Sequence, residues 1–335
     1  MSYVWQGDWL DRRVEVAIDP ALPIIDPHHH LWDASSRLPQ YLTPDLQADT
    51  GAGHNVLATV FIDCAWNYRK DGPESLRPVG ETETAAAAAA GSDPSGSRIG
   101  AIVSFADMTL GDAVAEVLDA HIAAGNGLFR GIRHATALDA DPAVRRSHTS
   151  PTPLLMAEPS FQRGVRVLAS KSLTFDAWLY HPQITELAGL ARAVPECTFV
   201  LDHVGGPLGI GHYAGHRDEI MAQWRIDIAD VASCPNVVVK LGGIGMAIYG
   251  LGFEQQPDPP TSDDLVEAWG GPIAYCIEQF GVDRCMFESN FPVDKVSCSY
   301  VTLWNSFKKM TAGASQVERA ALFHDTAARV YDVSV

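Results

Sequence analysis

The sequence predicts a single (β/α)8 barrel of the TIM type, on three observations. Eight short apolar, β-branched runs recur along the chain, at 24–30, 56–64, 99–105, 128–134, 173–179, 198–203, 237–241 and 285–290. Helix-forming stretches separate them, and ionisable residues collect where the runs end. Eight is the number of strands a closed barrel of this kind needs. Near-continuous apolarity without strict alternation suits parallel strands covered on both faces. A doubly wound open sheet has the same alternation. However, no GxGxxG follows the first run, which removes the usual dinucleotide-binding reason to prefer it.

Along the chain, residues 1–23 are a polar, tryptophan-containing arm, and 24–335 form the barrel. An insertion, 66–97, follows the second strand. It carries an alanine run, 85–90, that favours helix, and Gly91-Ser92-Asp93-Pro94 would stop it. Further helices are expected at 111–124, 161–170, 183–194, 220–233 and 265–280. Residues 242–262 begin Gly242-Gly243-Ile244-Gly245-Met246 and end near Pro259-Pro260, a pattern expected of a mobile loop over the site. No linker divides the barrel.

The formal charge of −17 and pI near 5.0 argue against nucleic acid and anionic membrane surfaces as partners. A small-molecule substrate is expected, and an anionic one would require a locally basic pocket. The chain is 47% hydrophobic, enough for a large core. Its six cysteines show no CxxC spacing and mostly sit in or beside apolar runs, as buried, reduced thiols do. The first residues lack the basic start and apolar core of a signal peptide, and no run is long enough to span a bilayer, so a cytoplasmic location is expected. The tryptophan-bearing arm could pack against a second copy, which makes a homo-oligomer one expectation.

The chemistry is expected at strand ends, which converge on one pocket in a barrel. The first strand closes as Ile24-Ile25-Asp26-Pro27-His28-His29-His30. His28 and His30 are two apart, so on a strand they share a face, where paired imidazoles can hold a metal or orient a polarised carbonyl. His29 should face away, and Asp26 should support the pair from behind. Arg133 could clamp a substrate carboxylate or make a salt bridge inside the barrel. His203 could bind metal or polarise a carbonyl. Tyr180 and Trp178 could wall the pocket, and His181, before Pro182, could bind substrate or cap a turn. Lys240 ends a valine-rich run, where a lysine needs a partner: a substrate, or Asp202 or Glu288. Glu288 shares the face of Asn290 and could reach inward.

Asp26-Pro27-His28-His29-His30-Leu31-Trp32, Arg130-Gly131-Ile132-Arg133, Asp202-His203-Val204-Gly205 and Ser289-Asn290-Phe291-Pro292 occur in the order of the amidohydrolase superfamily. The chain resembles its amidohydrolase-2 branch, which includes sugar lactonases and pyrone-dicarboxylate lactonase. The resemblance implies a (β/α)8 barrel and a hydrolase that opens a lactone of a small, carboxylated or polyhydroxylated substrate. It implies His28, His30, His203, Glu288 and Asn290 as catalytic residues, with Arg133, His181, Lys240 and Tyr180 binding substrate. Some members carry one divalent ion, here zinc or manganese on His28, His30 and His203, and others work without metal. The chain departs from the family pattern at Asn290, where the branch carries an aspartate that ligates metal or deprotonates water. Asparagine does neither well, and Glu288 and Asp294 are the nearby carboxylates. Two alternatives follow: a metal-dependent decarboxylase of aromatic acids, or a barrel that binds a ligand without catalysis.

Overall fold

A computed structural model describes residues 7–34 and 39–334. Eight strands, β1 Pro23–His29, β2 Asn55–Ile62, β3 Arg98–Ser104, β4 Phe129–Ile132, β5 Thr174–Ala177, β6 Phe199–Leu201, β7 Val237–Leu241 and β8 Cys285–Phe287, pair in parallel in chain order. Residues just past β8 complete the ring: His29 bridges Phe291, and the His30 amide donates to the Phe291 carbonyl at 2.8 Å. The expected (β/α)8 barrel is the observed fold, with every expected strand present and most trimmed at one or both ends.

Helices Thr43–Thr50, Val79–Ala90, Val114–Ala124, Pro159–Ser170, Ile184–Ala193, Arg217–Ala232, Ser262–Phe280 and Tyr300–Met310 follow the eight strands in turn. The alanine run does form a helix, and its terminal Gly91 amide closes on Ala87 O at 3.0 Å. That helix is the β2–β3 crossover of the enlarged 66–97 connection. Thr43–Thr50 and Tyr300–Met310 escaped the sequence periodicity. The first is short and polar, and the second begins at the Ser299 cap, whose hydroxyl accepts from Thr302 N at 3.2 Å.

Two apolar layers hold the ring. Phe175, Phe199, Leu201 and Val237 face outward onto the helices, packing with Trp224, Trp269 and Phe307. Ile25, Val60, Val103, Val200, Val238 and Met286 fill the barrel, where Ala327, Tyr331 and Val333 of the C-terminal segment pack against them.

The arm, of which residues 1–6 (Trp5 included) lie outside the described part, straps onto its own barrel. Trp9 is buried and its indole N–H donates to Gln256 O at 2.9 Å, while Arg12 donates to Pro257 O at 3.0 Å. Glu15 accepts from the Ser262 amide at 2.7 Å and from Asn305 at 2.8 Å. The arm thereby ties down residues 256–262 of the loop after β7. Among the described residues, no helix is long and apolar enough to cross a membrane.

Candidate active site

The strand ends meet in a cavity of about 200 Å³ at the C-terminal mouth of the barrel. His30, Arg133, Tyr180, His203 and Asn290 all line it, and Trp178 adds an aromatic wall, edge-on to His203 at 4.9 Å. His28, Glu288 and Lys240 lie beneath its floor, fully buried.

Glu288 organises the floor. Its Oε1 accepts from His203 Nδ1 at 2.6 Å and from the His203 amide at 3.1 Å, while Oε2 lies 2.8 Å from His28 Nδ1. Burial would raise this carboxyl, but the two imidazoles outweigh it and hold Glu288 at about 2. Against an ionised carboxylate, His203 Nδ1 must carry the proton, since two lone pairs would otherwise repel at 2.6 Å, whereas His28 Nδ1 faces both Glu288 Oε2 and the Lys240 ammonium. His203 Nε2 therefore keeps its lone pair. His30 reaches the same tautomer by another route: its Nδ1 lies 2.8 Å from Ile62 O, which can only accept. Burial first, then Lys240 for His28 and Arg133 for His30, keep both rings well below the usual imidazole range and neutral.

His203 owes its place to an unusual backbone. His203, Val204, Gly205 and Gly206 all have positive φ (54, 48, 75 and 58°). For the β-branched Val204 this conformation costs of order 1–3 kcal/mol. The segment is pinned by Trp224 Nε1 donating to Val204 O at 2.8 Å and by Tyr249 OH donating to His203 O at 3.2 Å. Gly243, at φ 66°, leaves room for the ring, since a Cβ there would stand 2.5 Å from His203 Nδ1.

Cations and carboxylates interleave below. Lys240 Nζ lies 2.7 Å from Asp176 and 3.1 Å from Asp202, and 3.2 Å from His28 Nδ1. Tyr331 OH also donates to Asp176, at 2.6 Å. Burial pushes Asp176 up despite Lys240. In Asp202 the same burial is outweighed by Lys240, His203 and Arg133, and the carboxyl falls below its usual range. Arg133 donates to Asp63 O and lies 3.7 Å from both the Asp63 and Asp202 carboxylates, with its NH1 3.3 Å from His28 Nε2. Asn290 donates through Nδ2 to Asp294 Oδ1 at 2.8 Å, and burial lifts Asp294 to about 7.

The structure thus brings His28, His30, Arg133, Tyr180, His203, Glu288 and Asn290 together, but in two layers. Lys240, expected to bind substrate, is walled off by Asp176 and Asp202, because a buried ammonium is stable only among counter-charges. His181 lies away from the cavity lining. It is buried, its Nδ1 accepts the Leu208 amide at 3.2 Å, and it serves the turn after β6. His29 faces away as expected, edge-on to Phe61.

For a divalent ion, His28, Asp202 and His203 have donor atoms within 4.8 Å of one another, a group that could hold one. Asp202 takes the place expected of His30. Two nitrogens and a carboxylate fit such an ion by type, although Lys240 and Arg133 already share Asp202.

Sequence reasoning missed Asp63, Asp176, Arg145, Arg146 and His148, and left Asp202 out of the site. Asp63 and Asp202 were visible as charges closing apolar runs. Arg145, Arg146 and His148, which also line the cavity, sit in the irregular segment after β4, where no periodicity points anywhere.

Comparison with known proteins places these features in a family context. The family model described as amidohydrolase matches residues 25–333. A Sinorhizobium fredii protein designated y4mH is 33% identical over 93% of this chain and 99% of its own. An L-fucono-1,5-lactonase of Burkholderia multivorans is 26% identical over 92% of this chain and 95% of its own. The crystal structure of a Burkholderia multivorans amidohydrolase with bound zinc shares the fold. Its TM-score is 0.72 at 23% identity, covering 93% of this chain and 99% of that one.

Proposed function

The chain belongs to the amidohydrolase family, and from that premise we propose that it is a hydrolase opening the ring of a small lactone. The observation that carries the reading is Glu288 holding Nδ1–H of His203 beneath a cavity lined by Arg133 and Asn290. The likeness to L-fucono-1,5-lactonase supports the bond type.

Water adds to the lactone carbonyl, the ring C–O bond breaks, and a hydroxy acid leaves. His203 takes the water proton at Nε2 and returns it to the departing ring oxygen, with Glu288 fixing the tautomer and stabilising the imidazolium. Asn290, whose amide N–H is given to Asp294, keeps its carbonyl oxygen free to orient the water. Arg133 donates to the developing oxyanion, where such stabilisation lowers the barrier most. His30 presents a lone pair, so it accepts from a substrate hydroxyl rather than polarising the carbonyl. Glu288 positions; at about 2 it is too weak a base to deprotonate water itself.

His28, Asp202 and His203 would hold a divalent ion, zinc or manganese, which when bound supplies a Lewis acid. His203 would be a ligand as well as the proton acceptor, so the two uses would compete for one ring. The test is hydrolysis of a panel of carboxylated and polyhydroxylated lactones, followed by a pH indicator, with hydroxybenzoates as the decarboxylation arm. Lactone turnover lost in His203→Ala is the expected result. Carbon dioxide release without lactone turnover would overturn the reading.

A further inference from the structure

We propose that Arg145 and Arg146 form an anion subsite at the cavity mouth, so that the substrate carries a carboxylate or phosphate group distinct from the ester that reacts. The proposal rests on the lactone reading for which bond is cleaved, but its charge argument is independent of that reading.

Both arginines line the same cavity as Arg133 and His203. Arg133 has the Asp63 and Asp202 carboxylates 3.7 Å away to offset its charge, and it serves the reacting carbonyl. The guanidinium groups of Arg145 and Arg146, by contrast, are exposed and have no ion-pair or hydrogen-bond partner among the described residues. A protein of net charge −17 repels anions at long range. Two adjacent uncompensated guanidiniums at the entrance reverse that field locally and can bind an oxyanion bidentately.

The segment is held in place before any ligand arrives. Tyr180 OH donates to Arg145 O, and Ser147 Oγ and Thr149 Oγ1 both donate to Ala135 O, at 3.2 and 2.5 Å. Upstream, Asp141 accepts from the His212 amide at 2.7 Å and Asp139 from Tyr213 OH at 2.7 Å, clamping this loop to the one after β6. His148 closes the inner side, with Nε2 3.5 Å from Asp63. A fixed backbone presenting free charges into a cavity has its ordering cost met in advance, which favours ligand binding.

The experiment compares lactone pairs that differ only in a distal group, free carboxylate or phosphate against methyl ester or hydroxyl, on the wild type, R145A/R146A and R145K/R146K. The readout is the ratio of kcat/KM for the anionic over the neutral member. We expect a wild-type preference of about tenfold or more that shrinks with added salt. It should collapse in the alanine variant and return in part with lysines. A carboxylate or a phosphate preference identifies which oxyanion is used. Equal turnover of the pairs by the wild type, or an unchanged ratio in the alanine variant, overturns the subsite and leaves the lactonase reading standing. If no lactone is hydrolysed, calorimetric binding of citrate and of inorganic phosphate decides the subsite alone. Binding weakened in R145A/R146A supports it, and binding that is absent or unaltered overturns it.

Discussion

The Glu288 carboxylate accepts the Nδ1–H of His203 at 2.6 Å although 85 residues separate them, and this contact sets the tautomer of His203. Replacing His203 by alanine should lower kcat by about 10²–10⁴. Glu288→Gln, whose amide oxygen can still accept from His203 Nδ1–H but which lacks the charge that stabilises the imidazolium, should lower kcat by a smaller factor while the folded fraction, followed by circular dichroism, stays intact. Normal turnover in both variants would remove His203 as the proton acceptor.

Lys240 is the cation between two buried carboxylates. Lys240→Met leaves Asp176 and Asp202 facing each other uncompensated. Stability in urea should fall by about 3–5 kcal/mol. A midpoint indistinguishable from wild type would mean the ammonium is not the group that offsets them.

Asp294 gives a pH signature. Its folded value is raised to about 7 from an unfolded 3.8, so the folded state binds the proton more tightly. The stabilisation is fully present below about 3.8 and is lost as pH rises toward 7. Asp294→Asn should lack this slope. Its urea midpoint relative to wild type should therefore climb between pH 4 and 7 and level off above, and parallel curves would contradict it.

Metal and proton compete at His203. Turnover should survive dialysis against chelator, and excess zinc should then lower it. Zinc uptake measured by elemental analysis should weaken in Asp202→Asn but persist in His30→Ala, because His30 lies outside the donor group. Activity abolished by chelation and restored by zinc would instead make the ion the working electrophile.

Gly243→Ala tests the close approach behind His203. A Cβ at φ 66° would stand 2.5 Å from the ring. The expected result is a kcat loss of about tenfold or more with KM little altered, since reactant misplacement acts on the chemical step.

The local sequence determined the elements. Apolar runs and their β-branched residues specify β1 to β8, the alanine run specifies a helix, and alternation along β1 puts His28 and His30 toward the site with His29 packed on Phe61. Alternation put Glu288 on the face of Asn290, from which it could reach inward. Roles were decided only by tertiary structure. Barrel closure sets which charges meet: Glu288 against His203 and His28 became a positioning group, and Lys240 against Asp176 and Asp202 became a buried counter-charge. Arg145 and Arg146 entered the cavity through an irregular loop clamped by Tyr180 and by the chain after β6. Side-chain period is a property of neighbouring residues and is written in the sequence. A protonation state depends on charges a few ångströms away in space, and those come from strands far apart along the chain.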